Sequence, residues 1–532
     1  MATIEIDGKT FEAENGKMII EVADEAGIHI PRFCYHKKLS VAANCRMCLV
    51  EIENSKKTVP ACATPISQGM KVYTQSQAAI KSQKAVMEFL LINHPLDCPI
   101  CDQGGECELQ DVSMGFGSSE GDYQDTKRSV KDKSLGSLIE TEMTRCIHCT
   151  RCVRFGEEIA GLREMGSPYR GENVQIGTFV EKSIRSEISA NIIDLCPVGA
   201  LTSKPYRYSA RSWELQQKPS IAGFDCLGSH VYLHTRRGKL MRVVPKDCES
   251  INETWISDRD RFAYTGLYHE NRLSLPMIKQ QGKWKTVDWS DALNFAASRL
   301  GEVLAKHGPE SVAAFASSAA TTEELYILQK WMRALNVNNL DHRLKQNDFH
   351  LDELQIGMSK NTCEYAEIEN QEAILLFGTQ LHREVPLAAT RVRKAFINGA
   401  KIASLNSAHH AFTFGLDTEI LVNPTAFEEE LAGIMHALKI KHPSLTGVKA
   451  NKHQQAIASL LSAEQALIIT GSDFDTHPRY HILRAMLEEI TTSSKIKWLH
   501  ISTGANVNGA WRAGFVPHRN PNGAAHDAPG MN

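Results

Sequence analysis

The 532-residue chain contains no apolar run of about 18 residues, so the sequence predicts no helix that crosses a membrane. It begins Met1-Ala2-Thr3-Ile4-Glu5-Ile6-Asp7-Gly8, which alternates like a strand and has no basic segment followed by an apolar one, so no secretory signal is expected. Charge of one sign is missing too: a net charge of -3 gives nucleic acid no electrostatic reason to bind. A glycine-rich dinucleotide fingerprint with its acidic partner is absent, which argues against a nicotinamide nucleotide site. Beyond residue 196 cysteine is scarce, with only Cys226, Cys248 and Cys363 of the fourteen.

The other eleven cysteines stand in three spaced sets. These are Cys34, Cys45, Cys48 and Cys62; then Cys98, Cys101 and Cys107, with His94 just before them; then Cys146, Cys149, Cys152 and the remote Cys196, followed by Pro197. The composition, 42% hydrophobic and 23% charged, is that of an ordinary soluble globular protein, and the length implies three or more domains. In a reducing cytoplasm, clustered cysteines are metal ligands rather than disulfides.

Patterning separates small modules from a larger final region. Residues 4 to about 74 read as strand, turn at Asp7-Gly8, strand, short helix over 19–26, cysteine loop and strand over 48–52, a compact α+β unit. Helical periodicity covers 78–93 and stops before Pro95. The stretch 114–133, rich in Gly, Ser, Asp and Lys, reads as an exposed connection. A hairpin is expected over 230–244 with its turn at Arg237-Gly238. From Gly266 onward, strand and helix signals alternate: 311–316 with 322–335, 373–378 with 387–397 and 401–405, and 466–471 with 480–490 and 496–501. Such alternation predicts a parallel sheet.

The first set offers four thiolates, two of them in one tight loop, and suits a 2Fe-2S or a 4Fe-4S site; the strand-helix-strand context favours the former, and a zinc site is the alternative. The second set has three cysteines and needs a fourth ligand. His94, Asp97, Asp102 and Glu106 are candidates, imidazole being the better donor for a thiolate site. Gly104-Gly105 lets the backbone fold closely before Cys107. The third set, Cys-x2-Cys-x2-Cys with a distant Cys-Pro, is the ferredoxin-type 4Fe-4S pattern, and with no second run nearby Cys196 should close the same site. His148, between two of its ligands, reads as a neighbour rather than a ligand.

The order of these motifs resembles the large iron-sulfur subunit of respiratory complex I, the G-subunit family of NADH:quinone oxidoreductase. The resemblance is carried by Pro31-Arg32-Phe33-Cys34-Tyr35-His36, by Cys45-Arg46-Met47-Cys48-Leu49-Val50-Glu51, by the specific segment from His94-Pro95-Leu96-Asp97-Cys98 to Cys107, and by Thr144-Arg145-Cys146 to Phe155. It implies one 2Fe-2S cluster on Cys34, Cys45, Cys48 and Cys62, a 4Fe-4S cluster on His94, Cys98, Cys101 and Cys107, and a 4Fe-4S cluster on Cys146, Cys149, Cys152 and Cys196. Electrons would pass in the order 2Fe-2S, four-cysteine cluster, histidine-ligated cluster. They would come from a flavoprotein subunit that oxidises NADH at FMN and leave to a ferredoxin-like subunit that feeds quinone. The chain itself would bind neither NADH nor quinone, and would lie on the cytoplasmic side of the bacterial inner membrane, held there by its partners. The equivalent iron-sulfur subunit of an NAD-linked hydrogenase or formate dehydrogenase is the alternative.

The implied fold is multidomain α+β and α/β. It comprises a β-grasp ferredoxin-like domain at 1–77, a histidine-and-three-cysteine module at 78–117, a four-cysteine module at 138–215, a degenerate module at 216–272, and a molybdopterin-oxidoreductase-like α/β domain at 273–532. In many bacterial relatives the degenerate module carries a further cluster. Here Ser229 and Leu233 stand where cysteines are needed, and Cys248 is out of register, so no fourth cluster is expected. Molybdenum enzymes of the last fold use a side chain on the metal, often cysteine; the related stretch 338–347 offers none and Cys363 falls later, so no molybdenum is expected. Relatives continue past Gly514-Phe515-Val516-Pro517-His518, whereas this chain ends at Asn532 after a tail rich in Gly, Pro and Asn, so a truncated last domain is expected.

Overall fold

A computed structural model describes residues 1–178, 183–345, 348–350, 352 and 361–531. The chain divides into two compact units, Met1–Lys218 with Leu233–Val244, and Pro219–Tyr232 with Pro245–Asn532.

The first unit opens with strands β1 (Ala2–Ile6) and β2 (Lys9–Ala13), joined at Asp7 and Gly8, both in the left-handed region with φ of 49° and 81°. Helix α1 (Ile19–Glu25) follows, then β3 (Leu49–Ile52), β4 (Val59–Pro60) and β5 (Met70–Tyr73). The sheet order is β2-β1-β5-β3-β4, with β1 parallel to β5 and the other pairings antiparallel. This is a β-grasp sheet with one helix laid across it. Ile19, Ile20, Val22 and Ala23 of α1 pack on Ile4, Ile6, Val50 and Val72 of the strands, so the alternation noted at the start of the chain faces a real core.

Helix α2 (Gln77–Leu91) is capped by Ser76, whose side chain accepts from the Ala79 N–H, and it ends before His94-Pro95 as expected. Helix α3 (Glu108–Phe116) starts directly after Cys107. It runs into the stretch expected to be open from Met114, because Leu109 and Val112, three apart, bury one face and carry the helix onward. No helix or strand occupies 117–138. Helix α4 (Arg151–Arg154) passes into a π-helical turn over Phe155–Ala160, and the short helix α5 (Asn191–Leu195) delivers Cys196. The expected hairpin is formed by His230–Arg236 and Lys239–Pro245, turning at Arg237 and Gly238 with φ of 50° and 77°.

In the second unit, α6 (Trp289–His307) has no buried residue, and α7 (Thr322–Ala334) sits by the parallel pair Ala313–Phe315 and Asn339–Asp341. The main sheet has β6 (Ala373–Phe377), β7 (Lys401–Asn406), β8 (Thr418–Leu421), β9 (Ala466–Thr470) and β10 (Lys497–His500), all parallel in the order β8-β7-β6-β9-β10. Helices α8 (Pro386–Ile397), α9 (Phe427–Ala437), α10 (Lys452–Leu461) and α11 (Tyr480–Ser493) fall between and beside these strands in sequence, and α12 (Val507–Ala513) follows them. The central strands β6 and β9 are buried at every position, which is why they read as continuous apolar runs. Among the described residues the region from Gly266 thus holds this five-stranded parallel sheet, the short parallel pair and an antiparallel pair, Met277–Gln280 with Lys283–Thr286. The strand β8 and helices α9 and α10 add to the elements expected from sequence.

Phe377 is fully buried, with ring centroids 5.2 Å from Phe427 and 5.6 Å from Phe474. Phe377→Ala is expected to cost about 3–5 kcal/mol, seen as a lowered urea midpoint of the second unit's transition.

Candidate metal centres

In the first set, Cys48 is fixed by the strand β3 that begins at the next residue, and Cys62 lies in a single 3-10 turn, Ala61–Ala63. Ala43 and Arg46 take left-handed φ values of 51° and 60°, which curl the loop around Cys45. All four thiols are buried and unbridged. The Cys34 N–H donates to the Cys45 sulfur at 3.4 Å. Hydrogen bonds from the Cys45 and Cys62 thiols hold Cys34 well below the ordinary thiol range, and Cys62 does the same for Cys48. Four buried, unbridged thiols of this kind offer a thiolate set in which a cation would take the place of the thiol protons.

The second set surrounds a cavity of about 690 Å³ lined by His94, Cys98, Cys101 and Cys107 together with Arg145, Gly199, Arg211 and Trp213. The three carboxylates considered as fourth ligands are engaged elsewhere. Asp97 accepts from Arg145 at 3.1 and 3.2 Å, Asp102 from the Tyr208 N–H at 2.9 Å, and Glu106 from Arg242 at 2.6 and 2.7 Å. His94 differs: its Nδ1 is buried and has no hydrogen-bond partner. Burial first, then the charges of Arg145 and Lys127, push its pKa down to about 4, so the ring is neutral at pH 7, as a ligand must be. Gly105, at φ of 94°, would carry a Cβ 2.3 Å from the Trp213 ring, so the pair Gly104-Gly105 is what lets the loop close beneath that ring. Cys98 is exposed, placing one edge of this centre at the surface.

The third set is walled by apolar side chains. Met143, Ile147, Ile176, Val198 and Leu201 wall a small cavity of about 20 Å³ together with all four cysteines. Burial pushes the thiols of Cys146, Cys149 and Cys196 up to about 12 and holds that of Cys152 well above the ordinary thiol range. Metal coordination would reverse this by supplying the positive charge that burial removes from reach. His148 and Thr150 are both left-handed, with φ of 55° and 61°, and wrap the backbone around the site so that the His148 N–H donates to the Cys146 sulfur at 3.4 Å. The His148 ring accepts from Arg128 at 3.4 Å.

Arginines join these centres. Arg154 donates to the carbonyls of Cys34 and Cys149, and Arg145 spans Asp97 and the Gly199 carbonyl at 3.4 Å. Arg151 donates to Glu108 at 2.8 and 3.1 Å, to the Tyr35 carbonyl at 2.9 Å and to the Leu195 carbonyl at 3.3 Å. Sequence reasoning missed all three, whose recurrence beside cysteines was the available signal.

The remaining cysteines lie apart from such sets. The Cys226 sulfur is 3.6 Å from the Tyr365 hydroxyl, Cys248 is 3.7 Å from the Ser250 hydroxyl, and Cys363 donates to the Glu364 carbonyl. In the main sheet the strand order reverses between β6 and β9, where doubly wound folds bind ligands beyond the carboxyl ends of their strands. Glu384 fills that crevice. Its carboxylate accepts from the Gln380 and Ser472 N–H groups at 2.8 and 3.1 Å and from the Ser472 and Thr379 hydroxyls at 2.9 and 3.2 Å. A Cβ at Gly471 would lie 2.2 Å from it. The donors that would greet a phosphate are spent on a side chain, so these residues do not fit a molybdopterin dinucleotide. Of the stretch 338–347, Gln346 and Asn347 lie outside the described residues. Asp348, His350 and His481 bring metal-type donors within 4.8 Å of one another, but Asp348 already accepts from both imidazoles and from the N–H groups of His350 and His481. It also caps the positive end of α11, and the group serves as a helix cap.

Comparison with known proteins places these centres in a family. Family models match in sequence as a 2Fe-2S iron-sulfur cluster binding domain over 1–77, the NADH-ubiquinone oxidoreductase-G iron-sulfur binding region over 83–121, and the ferredoxin-like domain of NADH-quinone oxidoreductase subunit 3 over 136–202. An NDSU1/NuoG-like 4Fe-4S domain follows over 215–265 and a molybdopterin oxidoreductase domain over 272–527. The NADH-quinone oxidoreductase G subunit of Rickettsia felis is 41% identical over 474 residues, 87% of this chain and 69% of that protein. The chain belongs to the G-subunit family of NADH-quinone oxidoreductase. The NADH-ubiquinone oxidoreductase 75 kDa subunit of Reclinomonas americana is 40% identical over 83% of this chain and 64% of that protein. Iron-sulfur protein 1 of the mitochondrial NADH dehydrogenase (ubiquinone) of Solanum tuberosum is 44% identical over 84% and 59% respectively. The chain therefore spans roughly three fifths to two thirds of the length of these relatives. Among solved structures, a chain of an NAD+-reducing NiFe-hydrogenase matches at 24% identity with a TM-score of 0.36, covering 39% of this chain and 90% of that one. The fold is accordingly multidomain: a 2Fe-2S ferredoxin-like domain, 4Fe-4S modules and a molybdopterin-oxidoreductase-like α/β domain.

Gly199, three residues after Cys196, packs tightly on the second set, since a Cβ there would lie 2.1 Å from the Cys101 sulfur. Gly199→Ala is expected to lower the iron bound at the second set while the first keeps its own, read by iron analysis together with the 2Fe-2S visible spectrum.

Proposed function

We propose that this chain is the electron relay of a proton-pumping NADH:quinone oxidoreductase. In this reading Cys34, Cys45, Cys48 and Cys62 hold one 2Fe-2S cluster, His94, Cys98, Cys101 and Cys107 hold one 4Fe-4S cluster, and Cys146, Cys149, Cys152 and Cys196 hold another. When bound, the clusters supply one-electron chemistry. The polypeptide supplies ligands, backbone N–H donors to sulfur and buried guanidinium charge, all of which stabilise added negative charge. The observation that carries the reading is the buried, partnerless nitrogen of His94 on a cavity that also holds three thiols.

The working parts are 1–77, 78–117 and 138–215, with 216–272 a degenerate module that holds no cluster and 273–532 a scaffold without molybdenum. Within 215–265 the only cysteines are Cys226 and Cys248, too few for a cubane. The relay order is 2Fe-2S, four-cysteine site, His94 site. It is supported by the third loop, which bonds the Cys34 carbonyl through Arg154 and the residue before Cys98 through Arg145. An FMN- and NADH-binding flavoprotein subunit delivers electrons at the first site, and a ferredoxin-like quinone-side subunit takes them near the exposed Cys98. No helix among the described residues is long and apolar enough to cross a membrane. Attachment through partners at the cytoplasmic face of the bacterial inner membrane follows from this reading.

Anaerobic purification, iron analysis and low-temperature EPR of the dithionite-reduced chain test it. About ten irons per chain and three signals are expected, with His94→Ala altering one 4Fe-4S signal alone. Stoichiometric zinc in a colourless protein after cluster reconstitution would overturn the relay, and about fourteen irons would overturn the absence of a fourth cluster.

A further inference from the structure

Arg151 lies between Cys149 and Cys152 and is 4% exposed. A guanidinium seldom sits so deep unless fixed partners replace its water. Here the partners come from three separate stretches of chain: both oxygens of Glu108, the carbonyl of Tyr35 and the carbonyl of Leu195. Each is the sequence neighbour of a proposed ligand, Glu108 of Cys107, Tyr35 of Cys34 and Leu195 of Cys196. The one remaining polar atom, Nε, is buried and has no partner within the polypeptide.

The charge on this side chain is only partly cancelled. Glu108 keeps 44% of its side-chain exposure against 5% for Arg151, so water screens the carboxylate more than the cation. Arg151, placed in the chain between the ligands Cys149 and Cys152, therefore sets beside the third site a cation that is less screened than its counter-charge.

We propose that Arg151 sets the electron affinity of the four-cysteine site and ties that site to the other two. This inference rests on the relay reading above. The step concerned is addition of one electron to the four-cysteine site, supplied in the test by dithionite, with no proton taken up. The added negative charge is favoured by the fixed guanidinium. Arginine is required over lysine for the tying role, because only a planar fork can serve a carboxylate and two carbonyls at once; the potential itself needs only the charge.

The test is a potentiometric EPR titration of the full cluster-loaded chain as wild type, Arg151→Gln, Arg151→Lys and Glu108→Gln, each with iron analysis. The midpoint of the four-cysteine signal is expected to fall in Arg151→Gln, to return most of the way in Arg151→Lys, and to rise in Glu108→Gln, where the guanidinium loses its counter-charge. A purely structural arginine would give no opposite shifts in the Arg151→Gln and Glu108→Gln proteins. If Arg151→Gln retains iron and titrates like wild type, or if Glu108→Gln leaves the midpoint unchanged or lower, the inference is overturned. Should Arg151→Gln lose its iron, Glu108→Gln and Arg151→Lys decide, since the former leaves the cation and its carbonyl bonds in place. A wild-type chain that binds no iron would instead sink the relay reading itself.

Discussion

A single buried cation holds the first unit in register. Three stretches of chain, around residues 35, 108 and 195, converge on the Arg151 guanidinium, and each carries a cysteine one residue away. Each of these modules is too small to organise much core of its own beyond the β-grasp sheet, so polar bonds between them do what apolar burial does in a larger domain. The cost of burying a charge becomes a source of specificity, because only one mutual arrangement supplies all the partners. Arg145 and Arg154 repeat the device at the neighbouring loops, again bonding backbone or carboxylate beside a cysteine.

Much of this was legible as sequence. Spacing alone isolates the three cysteine sets, because no packing rule places thiols three residues apart in loops. The alternation at Ile4 and Ile6 and the run at 373–377 likewise announce a half-buried and a fully buried strand, and both are found as such. The left-handed turn at Asp7-Gly8 and the hairpin at Arg237-Gly238 follow from turn chemistry.

What stayed hidden depends on distance along the chain. Arg151 reads as one more surface charge until Tyr35, 116 residues away, is brought to it. Ligand chemistry favours His94 over Asp97, Asp102 and Glu106 in the sequence; what the sequence does not carry is that the carboxylates are occupied and the imidazole nitrogen is not. The strand Thr418–Leu421 is too short for periodicity to mark, and its existence follows from pairing with β7. Helix α3 overran a stretch judged open because two buried side chains outweigh a polar, glycine-bearing composition.

Glu384 has a consequence for how the second unit lives among metabolites. Doubly wound sheets of this order are receptive to nucleotides, which are abundant wherever respiratory enzymes work. By lodging its own carboxylate against the donors at the switch point, the chain carries a permanent competitor, tethered and therefore always at high local concentration. Free phosphates must displace it to bind.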